Sequence, residues 1–197
     1  NASPDETAAV IRSIGDKRIH YYRFDEPVEP YVNWNNCIRH ASGEYMTMLS
    51  DDDLLDSNFL STLVAEFDAH PDASLVRACV RAIDTHGKKL WSYTDYPYIE
   101  TPEEFLVQRA KNRRPQFLPG FLFKTDVMKR LGSFEGNGMP AMLHLDDVLW
   151  FKLAFAGNAI VSSQKTYWSY RKHGDQYGGK LLDIGGFARS AISYTKS

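Results

Sequence analysis

Apolar and polar positions alternate between two periods along this chain, and the switches between them mark its elements. Residues 18–24 alternate and are rich in aromatic and β-branched types, which predicts a strand, and residues 25–30 form a proline-bounded loop. Trp34, Cys37, Ile38 and Ala41 recur at helical spacing, and Ser42-Gly43 closes that helix. A strand-like run from Glu44 to Leu49 follows, then a helix with Phe59, Leu60, Leu63, Val64 and Phe67 on one face, ending near His70-Pro71. Residues 73–83 read as a buried strand, turned back by Asp84-Thr85-His86-Gly87 into 88–93.

Start signals support this reading. Ser3-Pro4-Asp5-Glu6 predicts a capped helix through about Ile14, and Thr101-Pro102-Glu103-Glu104 repeats the logic before Phe105, Leu106 and Ala110. Further on come a short apolar run over 117–123, a short helix over 126–131, a glycine-rich loop over 132–140, a helix from Asp146 to Gly157 and a last strand over 159–170. Strands alternating with helices at this pace predict an α/β domain with a largely parallel sheet, whose ligand crevice lies at the carboxyl ends of the strands.

A chain of 197 residues with 43% hydrophobic content can bury a full core and is read as one compact domain. Lys and Arg number 23 against 25 Asp and Glu, and basic residues come in nothing longer than pairs such as Arg113-Arg114, which argues against nucleic acid as a partner. Cys37 and Cys79 lie in apolar surroundings without metal-ligand spacing, and are read as reduced core residues of a cytoplasmic protein, although a disulfide between them stays open. No apolar stretch approaches the roughly 20 residues that span a bilayer, and peripheral contact with a membrane's inner face stays open.

The strand over 44–49 discharges Asp51, Asp52 and Asp53 just before a helix. One aspartate would be explained by helix capping and the helix dipole. Three adjacent carboxylates repel one another and exceed what capping uses, so they point to a hard cation held by oxygen donors, such as Mg²⁺ or Mn²⁺ gripping a diphosphate. Asp146 and Asp147 open a later helix. Taken alone the pair is better read as an N-cap stabilised by the helix dipole, but the loop with Gly136 and Gly138 upstream shifts the balance, since it can shape a pocket in which a fixed carboxylate takes a proton from a sugar hydroxyl. Arg171, Lys172 and His173 follow the last strand and together suit an anionic ligand.

Taken in order, these pieces resemble the family 2 glycosyltransferases, whose nucleotide-sugar domain has the GT-A fold, over about residues 1–176. Residues 1–7, Asn-Ala-Ser-Pro-Asp-Glu-Thr, are similar to the end of that family's acidic, serine-containing segment. Asn33-Trp34-Asn35 with Ala41-Ser42-Gly43-Glu44-Tyr45 resembles its asparagine helix and the strand after it. Ser50-Asp51-Asp52-Asp53 stands at the metal-binding DxD element, with serine where the first aspartate is common, and Leu145-Asp146 at the Glu-Asp pair, with leucine replacing glutamate. Tyr170-Arg171-Lys172-His173 is similar to the cluster that closes the donor site.

The resemblance implies a GT-A-like, Rossmann-related sheet flanked by helices, with a donor half over 1–93, an acceptor-side half over 94–176 and a tail over 177–197. It implies Mn²⁺ or Mg²⁺ held by Asp52, with Asp53 and His173 around it, a nucleoside-diphosphate sugar met by Asp51, Asp52, Asn35 and Arg171, and Asp146 as catalytic base. The expected reaction is inverting, metal-dependent sugar transfer to a polysaccharide, lipid-linked, protein or small-molecule acceptor. A non-catalytic GT-A-like binding module and a metal-dependent nucleotidyltransferase are the alternatives. The family's first strand would precede Asn1, so a further strand, supplied by roughly 30 or more residues, is expected before this sequence.

Overall fold

The computed structural model describes residues 1–113, 115, 117–131, 134 and 145–174, with only the backbone described at 145–147. Its elements are α1 (Thr7–Ile14), α2 (Pro30–His40), β1 (Tyr45–Met46), β2 (Leu54–Leu55), α3 (Phe59–Ala69), β3 (Ala73–Ile83), β4 (Lys89–Tyr93) and β5 (Ile99–Glu100). There follow α4 (Pro102–Ala110), a 3-10 turn (Leu118–Gly120), β6 (Phe121–Lys124), α5 (Thr125–Leu131), α6 (Leu145–Ala154) and β7 (Ala159–Arg171). The expected tail over 177–197 and most of the loop over 132–140 lie outside the described residues.

The strands form one sheet in the order β1-β6-β3-β7-β2, with β4 on β3 and β5 on β7. The α/β class holds, but the sheet is mixed. Among the described residues β3 and β7 pair in parallel, and every other pairing is antiparallel. The reason is that only the connection between β3 and β7 carries them back in the same direction, whereas β4 returns through the tight turn at residues 84–87 and β1, β2, β5 and β6 are two- to four-residue ribbons.

β3 is the central strand, almost wholly buried, so its apolar run is continuous rather than alternating. On one side Leu75 packs with Phe105, Phe121, Phe123, Trp150, Leu153 and Ile160 beneath α4 and α6. On the other, Val76, Ala78 and Val80 pack with Val161, Trp168 and the α3 residues Phe59, Leu63 and Phe67. Leu60 of the predicted apolar face of α3 points outward, while Glu66 is buried and accepts the Tyr98 hydroxyl at 2.8 Å. Through this core runs a buried ion pair: Arg77 donates to Glu100 and, at 2.8 Å, to Ser162 Oγ, with its guanidinium 3.9 Å above the Tyr96 ring.

The α4 start behaves as its sequence predicts. Thr101 Oγ1 accepts the Glu104 N–H at 3.2 Å and Glu104 accepts the Thr101 N–H at 2.9 Å, which completes a capping box. At the other end of the chain, α1 begins at Thr7 rather than directly after Ser3, because the Asp5 carboxylate takes the Thr7 N–H at 3.1 Å. Residues 18–24 form no strand. Their pattern suits one, but no described strand lies alongside to share a ladder, and Tyr22 instead stacks on His40 of α2 at 3.6 Å. Cys37 also departs from expectation, since it sits on the outer face of α2, and both cysteines are free thiols. Burial pushes the Cys79 thiol above its ordinary value.

Two details fix the ends of the central parallel pair. Gly157 precedes β7 where a Cβ would lie 2.5 Å from the Asp72 carbonyl oxygen, so the chain passes β3 at a distance only glycine allows. Farther along, Ala78 faces Ser163 while Cys79 faces Tyr167, so β7 bulges over 164–166. Asn58 pins that bulge, donating to the Lys165 carbonyl at 3.1 Å and accepting the Thr166 hydroxyl at 3.0 Å. No described helix is long and apolar enough to cross a membrane.

Candidate functional site

The three aspartates sit in a tight turn between β1 and β2, and β2 pairs with the last part of β7 through Leu54–Ser169 and Leu55–Trp168. This places them near the carboxyl end of the parallel β3/β7 pair, where a ligand crevice is expected. None of them caps α3, whose N-cap is Asn58, with no side-chain cap hydrogen bond. The capping explanation for the triplet therefore falls away.

Each aspartate has a different environment. Asp51 is exposed. Asp52 is half-buried, and its Oδ2 lies 2.9 Å from His173 Nε2. Asp53 is only 7% exposed, with Oδ2 accepting the Trp168 indole N–H at 3.0 Å and Oδ1 accepting the Arg171 backbone N–H at 2.9 Å. Burial raises the Asp53 pKa above its ordinary value; the Arg171 amide works against burial, and the neighbouring Asp52 charge adds to it.

Arg171 was expected to reach toward the donor. Its Nε donates to the Asp52 carbonyl at 2.8 Å and its Nη1 to the Asp84 and Thr85 carbonyls, each at 3.1 Å. One guanidinium thus ties the acidic turn to the turn between β3 and β4. Lys172 extends the tie, donating its N–H to the Ile83 carbonyl at 2.8 Å. Next to the triplet, Asp56 pairs with Arg81 and accepts the Tyr167 N–H at 3.1 Å, which fixes β2 against the bulge.

Asn35, expected among the donor-binding residues, has both ends of its amide in a clasp on Phe134. It donates to the Phe134 carbonyl and accepts the Phe134 N–H, both at 2.8 Å. Asp146 lies in the first turn of α6, and its side chain is outside the described residues. Trp168 was missed by sequence reasoning. The available signal was an indole N–H in a strand with an apolar face, which needs a buried acceptor.

Among the described residues no group of three or more His, Cys, Asp and Glu converges on one point. The donor set nevertheless fits a divalent ion that keeps several water or phosphate ligands. The 2.9 Å between Asp52 Oδ2 and His173 Nε2 is close to the spacing of adjacent ligands around a six-coordinate ion with bonds of about 2.1 Å. A separate cleft of about 310 Å³, lined by Pro71, Ser74, Lys124, Asp126 and Gly157, lies at the opposite end of the β3/β7 pair and plays no part in this constellation.

A central parallel pair, a short acidic turn at its carboxyl end and a returning last strand that delivers histidine and arginine make this a GT-A-like domain. The profile of glycosyl transferase family 2 matches residues 1–131, and the chain belongs to that family. The match covers the three aspartates and ends before Asp146, Arg171 and His173. Among solved structures the chain is similar to the crystal structure of S. aureus TarS 1–349, with a TM-score of 0.64 at 15% identity. That likeness covers 86% of this chain and 49% of TarS 1–349, so the chain spans about half the length of that relative. A search of curated proteins returns no match.

Proposed function

We propose that this domain transfers a sugar from a nucleoside-diphosphate sugar to an acceptor hydroxyl, with inversion at the anomeric carbon and dependence on Mn²⁺ or Mg²⁺. The observation that carries the reading is the Asp52–His173 pair, two side chains 121 residues apart held 2.9 Å from each other at the carboxyl end of the parallel strands. Asp52 and His173 would hold the ion, with the exposed Asp51 beside them. When bound, the ion offsets the negative charge that grows on the departing diphosphate.

The protein's own groups account for the remainder. Arg171 and Asp53 hold the acidic turn in place, so Asp52 meets the donor without rearrangement. Asp146 accepts the proton of the acceptor hydroxyl as the acceptor oxygen bonds to the anomeric carbon, and the bond from that carbon to the diphosphate breaks with its electron pair leaving on the diphosphate oxygen. No protein acid is required on the leaving side, in contrast to glycoside hydrolysis. Free thiols at Cys37 and Cys79 are in keeping with a cytoplasmic setting.

A panel of nucleoside-diphosphate sugars tests this, with binding read calorimetrically with and without Mn²⁺ and released nucleotide read separately. Metal-dependent binding with release of nucleoside diphosphate is the expected result. Binding without turnover on any acceptor would favour a non-catalytic module, and release of sugar 1-phosphate in place of nucleoside diphosphate would favour nucleotidyl transfer.

A further inference from the structure

β7 carries more than the contacts to the acidic turn. Trp168 and Tyr170 occupy alternate positions and so share one face of the strand, and Phe117 lies against both, with ring centroids 5.3 Å from Trp168 and 5.8 Å from Tyr170. The Phe117 and Tyr170 planes are within 11° of each other. Phe117 is set by the 3-10 turn after it: its carbonyl accepts the Gly120 N–H at 3.3 Å, and Gly120 packs against the Trp168 indole, where a Cβ would stand in ordinary contact at 3.4 Å from Cε3. Across the sheet, Ala82 pairs with Trp91 on one side and Tyr170 on the other, which puts Trp91 on the same face with only a methyl group between.

These rings are not used up by the core. Phe117 is 39% exposed and Trp91 38%, whereas Trp168, against which Phe117 lies, is buried. The strip runs directly into the site, because Trp168 and the Arg171 backbone both hydrogen-bond Asp53, next to the Asp52–His173 pair.

We propose that Phe117, Tyr170 and Trp91 form a stacking subsite for a pyranose ring of the acceptor. This rests on the reading of the domain as a sugar transferase and specifies the chemistry of its second substrate. A pyranose has an apolar face of C–H groups that suits the negative face of an aromatic ring, while its hydroxyls stay in water. A nucleobase would also stack, but reading it needs polar groups along its edge, and this strip offers ring faces with few polar atoms. The occupant is therefore a carbohydrate acceptor, and a donor base is the outcome that the experiment must separate from it.

The test uses the whole chain as wild type, Phe117→Ala, Phe117→Tyr and Trp91→Ala on an array of neutral oligosaccharides. The same preparations are titrated with UDP and GDP in Mn²⁺ and melted thermally. Wild type should retain at least one pyranose oligosaccharide, the two alanine variants should bind it about tenfold more weakly, and Phe117→Tyr should keep it. Nucleotide affinity should not move. Equal retention by a folded Phe117→Ala or Trp91→Ala, or no oligosaccharide retained by wild type, overturns the subsite. So does loss of nucleotide affinity with retention intact, which would assign the rings to a base. If Phe117→Ala fails to fold, Trp91→Ala on the outer strand decides alone. Oligosaccharide binding without metal-dependent nucleotide binding in wild type would sink the transferase reading while leaving the subsite standing.

Discussion

Asp53 and Trp168 are joined by a hydrogen bond of 3.0 Å across 115 residues of sequence, and this bond makes the middle of the site a fixed point rather than a free carboxylate. Removing its donor while keeping an aromatic ring leaves a buried carboxylate oxygen unpaired. Trp168→Phe should therefore lower folding stability by about 1–3 kcal/mol, measured by urea unfolding. A change near zero would mean that water replaces the indole.

The neighbouring pair is exposed enough to be dispensable for folding. Asp52 and His173 side chains are 31% and 28% accessible, so the hydrogen bond between them contributes little to stability in water. Asp52→Asn and His173→Ala should leave the melting temperature of the metal-free protein nearly unchanged and weaken Mn²⁺-dependent nucleotide binding by ~10-fold or more. Calorimetry with and without Mn²⁺ measures both.

Asp146→Asn should lower turnover by ~10²-fold or more with donor affinity little changed, because a general base acts on the acceptor in the transition state. Single-turnover kinetics beside donor titration separates the two effects. Unaltered turnover would remove Asp146 from the mechanism.

The ion pair in the core carries a different expectation. Glu100→Gln removes the carboxylate charge that pairs with Arg77, itself 1% exposed, and should cost about 3–5 kcal/mol. Replacing both partners, as Arg77→Met with Glu100→Leu, should cost clearly less than the sum of the single changes, and a double-mutant cycle in urea reads the difference.

The two thiols should separate by reagent and by pH. Cys37 is exposed and Cys79 is 1% exposed, so a thiol reagent at neutral pH should label one cysteine in the folded protein and two in denaturant. Burial raises the Cys79 pKa, which means that its contribution to stability is complete below the unfolded thiol value and is lost as pH rises through the higher folded one. Cys79→Ser should flatten the alkaline limb of the stability curve.

Elements whose cause is local were legible in the sequence. The Thr101 capping box, the buried run of β3 and the last strand all follow from patterns a few residues long. Residues 18–24 carried as clear a pattern and failed, because a strand also needs a neighbour and no local signal reports one. The site divides in the same way. Three adjacent aspartates announced an acidic site, yet which of them faces outward depends on Trp168, Arg171 and His173, more than a hundred residues away. Asn35 shows the converse, since its residue type suited a ligand while its partner, Phe134, lies 99 residues on.

The tie between Asp52 and the end of β7 also sets an order in time. A ribosome adding roughly 5–20 residues per second releases the acidic turn many seconds before it reaches His173. Until then the nascent chain carries three aspartates without Trp168, Arg171 or His173 to arrange them. The Asp52–His173 pair is therefore assembled by the last described strand, and a growing chain carries an unarranged acidic turn while the central sheet is still incomplete.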